Sequence, residues 1–186
     1  FSRNLKNLNQ IKLLINSIRF IFKDKKYPIL IDQEGGKVSR LNKIINLNFF
    51  SQNFFGQLYI KDKKLFLNQY NIYINKVCDI LKNIGVNINT VPVLDVRRKK
   101  SHNIIGSRSF SENSTVVSNL GRLCISFYEK NKIATVIKHI PGLGLSKCDS
   151  HYKMPTIGAN KKELTKIDFK PFKACKSLFA MTAHAV

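Results

Sequence analysis

The chain is predicted to be an α/β protein built on a parallel sheet, and three observations carry that expectation. Short apolar strands alternate with longer amphipathic helices along the sequence, and strands separated by helices pair in parallel. The 186 residues, 44% of them hydrophobic, suffice for one core of substantial size. The polar residues that stand out, Asp32, Asp95, Lys138-His139 and His184, fall at or just after strand ends. Ligand sites occupy that edge in a (β/α)8 barrel and in an open doubly wound sheet alike.

Periodicity and punctuation define each element. Over 7–22, Leu8, Ile11, Leu14, Ile15 and Ile18 recur at helical spacing. Residues 27–31, Tyr-Pro-Ile-Leu-Ile, form a short apolar strand ending at Asp32. Residues 63–84 form a long amphipathic helix with Phe66, Tyr70, Tyr73, Val77, Ile80, Leu81 and Ile84 on one face, and Gly85 marks its end. Residues 86–96 are strand-like, with Pro92 near the end. Val116, Val117, Leu120, Leu123, Cys124 and Phe127 mark the next helix, capped by Asn113 or Ser114. Residues 133–137 form a strand that runs directly into Lys138-His139. Residues 160–178 read as one helix with Leu164, Ile167, Phe172 and Cys175 on its apolar side, and 179–186 as a last strand.

The formal net charge of +21 raises nucleic-acid binding as a rival function. The basic residues are nevertheless spread along the chain, and the densest runs, 61–64 and 97–100, are short. Lys, Asn, Ile and Phe are abundant together, so the charge is read as solvated surface and no specific nucleic acid is expected. Cys78, Cys124, Cys148 and Cys175 are widely separated with no C-x-x-C pair, which argues against a compact zinc site or a disulfide scaffold. They read as reduced and mostly buried, with Cys148 in an exposed loop. No apolar run approaches the roughly 20 residues of a membrane span, and no membrane is expected as a partner. No G-x-G-x-x-G follows the first strand and no P-loop is present. Since the chain begins at Phe1, it is expected to lie within a longer reading frame.

Candidate chemistry concentrates in 138–151. Lys138-His139-Ile-Pro-Gly-Leu-Gly144 follows a strand, and Asp149-Ser150-His151 comes soon after. A carboxylate near a His holds one tautomer, so that the ring can act as general acid or base near neutral pH. Upstream, Asp32-Gln-Glu-Gly-Gly-Lys-Val-Ser-Arg40 follows the first strand. Asp32 can accept bonds from hydroxyls, Gly35-Gly36 supplies a tight turn, and Arg40 returns a forked cation. A third block, Val91-Pro-Val-Leu-Asp-Val96, leads to 104–110, which contains Arg108. Plainer readings stand beside these: a satisfied core ring for His139, a capping Asp149 with a surface His151, and ordinary surface cations for Arg40 and Arg108. Glu34 reads as support for the turn or rim, Asp95 as bonded within the rim, and His184 as facing the site without chemistry. By ligand type, His139, Asp149 and His151 form a candidate metal set; the hydrolytic route below needs none, and no metal is expected.

Together these blocks resemble glycoside hydrolase family 3, and within it the bacterial β-N-acetylglucosaminidases that trim muropeptides during peptidoglycan recycling. The pattern of that group is D-Q-E-G-G-R-V-x-R, A-P-V-L-D-V, G-x-R-S-F, K-H-F-P-G-H-G and D-S-H, in that order, and the likeness extends over essentially all 186 residues. It implies a partial (β/α)8 barrel, about strands two to six, with 1–186 an incomplete N-terminal catalytic domain. It implies a cytoplasmic, monomeric, cofactor-free enzyme that removes terminal β-linked N-acetylglucosamine with retention. By the same resemblance, Asp32 and Arg40 hold sugar hydroxyls, and Arg108, Lys138 and His139 contact the ring. His151 is the acid/base and Asp149 orients it. Three departures stand out. Leu143 takes the place of the usual His, Lys37 replaces an Arg, and no F-S-D-D-like segment, home of the nucleophilic Asp, precedes Val186. A retaining enzyme needs that nucleophile to form its glycosyl-enzyme, so 1–186 alone is expected to be inactive and poorly stable. A catalytically inactive sugar-binding relative is the nearer alternative, and a basic nucleic-acid-binding protein the farther one.

Overall fold

The computed structural model describes residues 5–98, 103–146, 148 and 155–184. Among them β1 (Leu30–Ile31), β2 (Ile88–Asn89), β3 (Ala134–Ile140) and β4 (Phe179–Thr182) pair in parallel, in that spatial order. Helix α1 (Leu8–Ile21) precedes the sheet. Helices α2 (Gln52–Lys61) and α3 (Lys63–Ile84) link β1 to β2, α4 (Ser114–Lys130) links β2 to β3, and α5 (Lys161–Lys166) and α6 (Phe169–Ala174) link β3 to β4. The predicted α/β class with a parallel sheet is therefore observed. A doubly wound sheet reverses its strand order at a switch point. This one runs in sequence order without reversal, as an arc of a barrel does, and the described strands do not close it.

Most helix limits lie where capping chemistry puts them. Asn7 accepts a bond from the Gln10 amide at the start of α1, and Asp62 does so from Leu65 at the start of α3. Asn113, not Ser114, caps α4 through the Thr115 and Val116 amides. Gly85, at φ 88°, ends α3 in the left-handed region. Several elements differ from expectation. Helix α2 was not anticipated, although Ser51 caps it and Phe55 and Gly56 are buried one turn in. The strands around Asp32 and Thr90 are shorter than their apolar runs. Asparagine side chains take over the pairing there: Asn87 accepts from the Ile29 amide, while Asn89 accepts from the Gln33 amide and donates to the Gln33 carbonyl. The expected helix over 160–178 is two short ones. Pro171 has no amide proton to offer the Ile167 carbonyl but is tolerated in the first turn of α6.

The core fills the space between α3, α4 and the sheet. Phe66, Tyr70, Ile74, Val77, Leu81 and Ile84 of α3 are buried against Phe55, Phe110, Val117 and Leu120. Ring pairs such as Phe55–Tyr70 at 4.6 Å and Tyr59–Phe66 at 5.3 Å join α2 to α3. At Gly56 a Cβ would sit 1.8 Å from the Phe110 carbonyl oxygen. Backbone cannot yield as a flexible side chain does, so Gly56→Ala is expected to cost about 1–3 kcal/mol, read as a lowered urea midpoint. Cys78, Cys124 and Cys175 are buried free thiols, as predicted, and burial pushes the first two up to about 12 and the third to about 11. Cys148 is partly exposed. No helix among the described residues is long and apolar enough to cross a membrane.

Candidate active site

Beyond the C-terminal ends of β1, β2 and β3 lies a cavity of about 290 Å³. Asp32, Arg40, Arg108, Lys138 and His139 all line it, joined by Glu34, Leu143 and His184. Five residues named from the sequence, scattered over more than a hundred positions, thus face one space. The other two, Asp149 and His151, lie outside the described residues.

The first wall comes from the turn after β1. Gly35 and Gly36 have φ values of 86° and 58°, and a Cβ on Gly35 would meet the Phe50 carbonyl oxygen at 2.2 Å. Glycine alone lets the chain fold back there, bringing Arg40 toward Asp32. The buried Gln33 fixes the return: its Oε1 accepts from the Arg40 amide at 2.9 Å and the Leu41 amide at 3.1 Å. Arg40 Nη2 itself is 4.0 Å from Asp32 Oδ2, and both side chains are well exposed. That pair is weak and leaves the guanidinium available to a ligand.

The second wall is β3. The Lys138–His139 peptide is cis, and both side chains line the cavity. Lys138 is buried, with its Nζ 2.6 Å from Glu34 Oε1, 2.9 Å from Thr90 Oγ1 and 3.3 Å from Asp32 Oδ1. Three protons thus meet three acceptors. Asp32 also accepts from the Thr90 hydroxyl.

Arg108 forms the third wall from a single 3₁₀ turn, Gly106–Arg108. Gln52 of α2 holds that turn, donating from Nε2 to the Arg108 carbonyl at 2.7 Å and to the Val93 carbonyl at 2.9 Å. The Arg108 guanidinium forks onto Glu34, with Nε to Oε2 at 2.8 Å and Nη2 to Oε1 at 2.9 Å. Its Nη2 also faces His139 Nε2 at 3.4 Å. On its far side, His139 Nδ1 is 2.7 Å from Asp95 Oδ2, and Asp95 Oδ1 accepts from the Leu143 amide at 2.6 Å.

The charges balance: Asp32, Glu34 and Asp95 stand against Arg40, Arg108 and Lys138. Burial works to raise the Glu34 carboxyl, but Arg108 and Lys138 outweigh it and hold the pKa below the ordinary carboxylate value. Asp32 behaves alike: burial opposes ionisation, while Lys138, the Thr90 hydroxyl and Arg40 more than offset it. Burial also works against the Arg108 cation, and the Glu34 contact overcomes that, raising its pKa. A pocket of internally paired ionic groups offers many directional hydrogen bonds and little net charge, which suits a neutral polyhydroxylated ligand.

Glu34 and Asp95 carry more of this arrangement than the sequence reading gave them. Both sit inside the quoted motifs, so the signal was present. Gln33 also lies in the first motif and acts on Arg40 and Leu41 close by, whereas Gln52 and Thr90 had no signal, since their partners lie far away in sequence. His184 faces the cavity as expected. Leu143 places an apolar side chain in the wall and reaches Asp95 only through its backbone amide.

The chain from residue 1 to 186 matches the glycosyl hydrolase family 3 N terminal domain. It is 33% identical to Beta-hexosaminidase A of Pseudoalteromonas piscicida, over 99% of this chain and 32% of that protein. It is 29% identical to the Beta-hexosaminidase of Neisseria gonorrhoeae, over 100% of this chain and 52% of that protein. Native NagZ from Neisseria gonorrhoeae superposes with a TM-score of 0.90 at 29% identity, covering 100% of this chain and 54% of that one. NagZ from the same organism in complex with N-trifluoroacetyl-D-glucosamine gives 0.89 at 29% identity, covering 100% and 55%. The chain spans about a third to half of the length of these relatives.

Proposed function

The chain belongs to glycosyl hydrolase family 3, and from that premise we propose that its protein removes terminal β-linked N-acetylglucosamine from peptidoglycan fragments. The observation that carries this reading is the convergence of Asp32, Arg40, Arg108, Lys138 and His139 on one charge-balanced cavity at the strand ends. The relative solved with N-trifluoroacetyl-D-glucosamine supports an N-acylated hexosamine as the ligand class. In the proposed binding mode Asp32 accepts from sugar hydroxyls while Lys138 keeps it ionised. Arg40 and Arg108 donate, and the His139 ring presents Nε2. His151 protonates the departing glycosidic oxygen and later activates water, with Asp149 orienting it. Retention further needs a nucleophilic carboxylate, which the family resemblance assigns to an Asp on a later strand. The muropeptide substrate, a cytoplasmic setting and a monomeric state belong to the same proposal and rest on that resemblance.

The test is hydrolysis of 4-nitrophenyl N-acetyl-β-D-glucosaminide by the full-length protein, with the matching glucoside as control. Turnover of the first and not the second is expected. Binding of N-acetylglucosamine without turnover would mark an inactive sugar-binding relative, and failure to bind the sugar would overturn the reading altogether.

A further inference from the structure

We infer that Asp95 is a positioning residue: one buried carboxylate sets the tautomer of His139 and ties that ring to the loop that leads toward residues 149–151. Its two oxygens serve two different elements. Oδ2 lies 2.7 Å from His139 Nδ1 on β3, and Oδ1 takes the Leu143 amide at 2.6 Å in the loop after it. Asp95 is fully buried, so neither bond competes with water.

The tautomer follows from the neighbours. Arg108 can only donate, and its Nη2 faces His139 Nε2 at 3.4 Å. Nε2 is therefore the acceptor and Nδ1 carries the proton that goes to Asp95. Arg108 cannot swing away, because Glu34 holds it by two bonds. Nε2 has one lone pair, so a donor in the cavity reaches it only in place of the 3.4 Å Arg108 contact, and in either case the ring is an acceptor there and not a donor. The loop is equally constrained, since a Cβ on Gly144 would meet the Val96 carbonyl oxygen at 1.9 Å. The backbone passes directly over the segment that bears Asp95, which makes Asp95 the common support of ring and loop.

Asp95→Asn separates these roles with almost no change in volume. Turning the amide over would set its nitrogen against the Leu143 N–H at 2.6 Å, a backbone donor that cannot adapt, so the oxygen stays there and the opposed donors fall at the longer, 3.4 Å contact between His139 Nε2 and Arg108. The amide nitrogen then faces His139 Nδ1, and the ring answers by moving its proton to Nε2, where it meets Arg108. The ring now presents a donor to the cavity, and ligand affinity is expected to fall about tenfold, the worth of roughly one hydrogen bond.

The inference rests on the glycosidase reading only for its ligand arm. Nitrogen-15 NMR of the histidine rings in the full-length protein reports the tautomer with no ligand present, and the His139 signals are those missing from His139→Ala. Nδ1–H in the wild type and Nε2–H in Asp95→Asn are the expected results. Calorimetry with N-acetylglucosamine should show the tenfold loss in the wild-type background and no further loss in His139→Ala, the non-additivity of a residue that acts through its neighbour. A wild-type ring protonated at Nε2 would overturn the inference, as would an equal Asp95→Asn penalty with and without His139. Should Asp95→Asn fail to fold, the wild-type spectrum decides. Should the wild type bind no N-acetylglucosamine, the glycosidase reading falls while the tautomer measurement still judges Asp95.

Discussion

Glu34→Gln is expected to destabilise the folded protein by about 3–5 kcal/mol, the usual loss when one partner of a buried ion pair is removed. Glu34 is almost fully buried and compensates two cations, Lys138 at 2.6 Å and Arg108 at 2.8 and 2.9 Å. Glutamine has the same shape, so the substitution leaves no cavity. It removes the charge and turns an amide nitrogen toward donors that cannot accept. Lys138 is buried beneath the cavity and would keep only Asp32 and Thr90. Urea unfolding at pH 7 measures the effect, and a loss under about 1 kcal/mol would show that the two cations do not depend on Glu34. Acidity supplies a second check with a definite sign. The folded-state pKa of Glu34 is depressed below 4.5 and that of Asp32 below 3.8. Their stabilisation is therefore present above those unfolded values and is lost as pH falls through the folded ones. The gap between wild type and Glu34→Gln should stay constant from pH 7 to 5 and narrow below about 4.5. Asp168 works in the opposite sense: burial raises its pKa despite Arg98 at 2.7 Å, so its protonation offsets part of the acid loss.

The same cluster shows what was legible in the sequence. Asp32, Arg40, Arg108, Lys138 and His139 could be named because strand ends in parallel α/β folds aim side chains at one rim, and because each sits in a short block with glycine or proline punctuation. Their mutual neutralisation could not be read. That Lys138 spends its three protons on Glu34, Asp32 and Thr90 depends on contacts across 104, 106 and 48 residues, and no local pattern encodes those. Helix α3 was legible to the residue because Asp62 and Gly85 bracket an uninterrupted apolar stripe. Helix α2 was missed because its buried side packs on aromatic rings of α3 instead of following a clean stripe of its own. The strands were overestimated for a different reason. Apolar runs report burial, whereas Asn87 and Asn89 carry hydrogen bonds that backbone groups would otherwise make. The break within 160–178 was legible in principle, since Pro171 was visible and only its placement in a first turn was not.

His151→Ala is expected to lower turnover on the order of 10²–10⁴-fold, the range for loss of a positioned general acid. Among the described residues His139 is the cavity histidine with a carboxylate partner, and it is poorly suited to move protons. One of its nitrogens is bound to Asp95 and the other faces Arg108, which can only donate. A proton shuttle needs a nitrogen free to reach the glycosidic oxygen, and in the proposed mechanism His151 is that ring, with Asp149 as its carboxylate. The discriminating readout is the leaving group. Nitrophenolate departs with little help, so the first step on a nitrophenyl substrate should suffer least. An N-acetylglucosaminide of an alkyl alcohol needs its oxygen protonated and should suffer most, while affinity for N-acetylglucosamine stays close to wild type. Equal losses on both substrates would mean that His151 is not the acid and that its replacement acts through the fold. Asp149→Asn should give the same leaving-group trend with a smaller loss, because the ring stays in place with its charged form less stabilised. A trend that appears in His151→Ala and not in Asp149→Asn would leave His151 as the acid and take from Asp149 the role of orienting it.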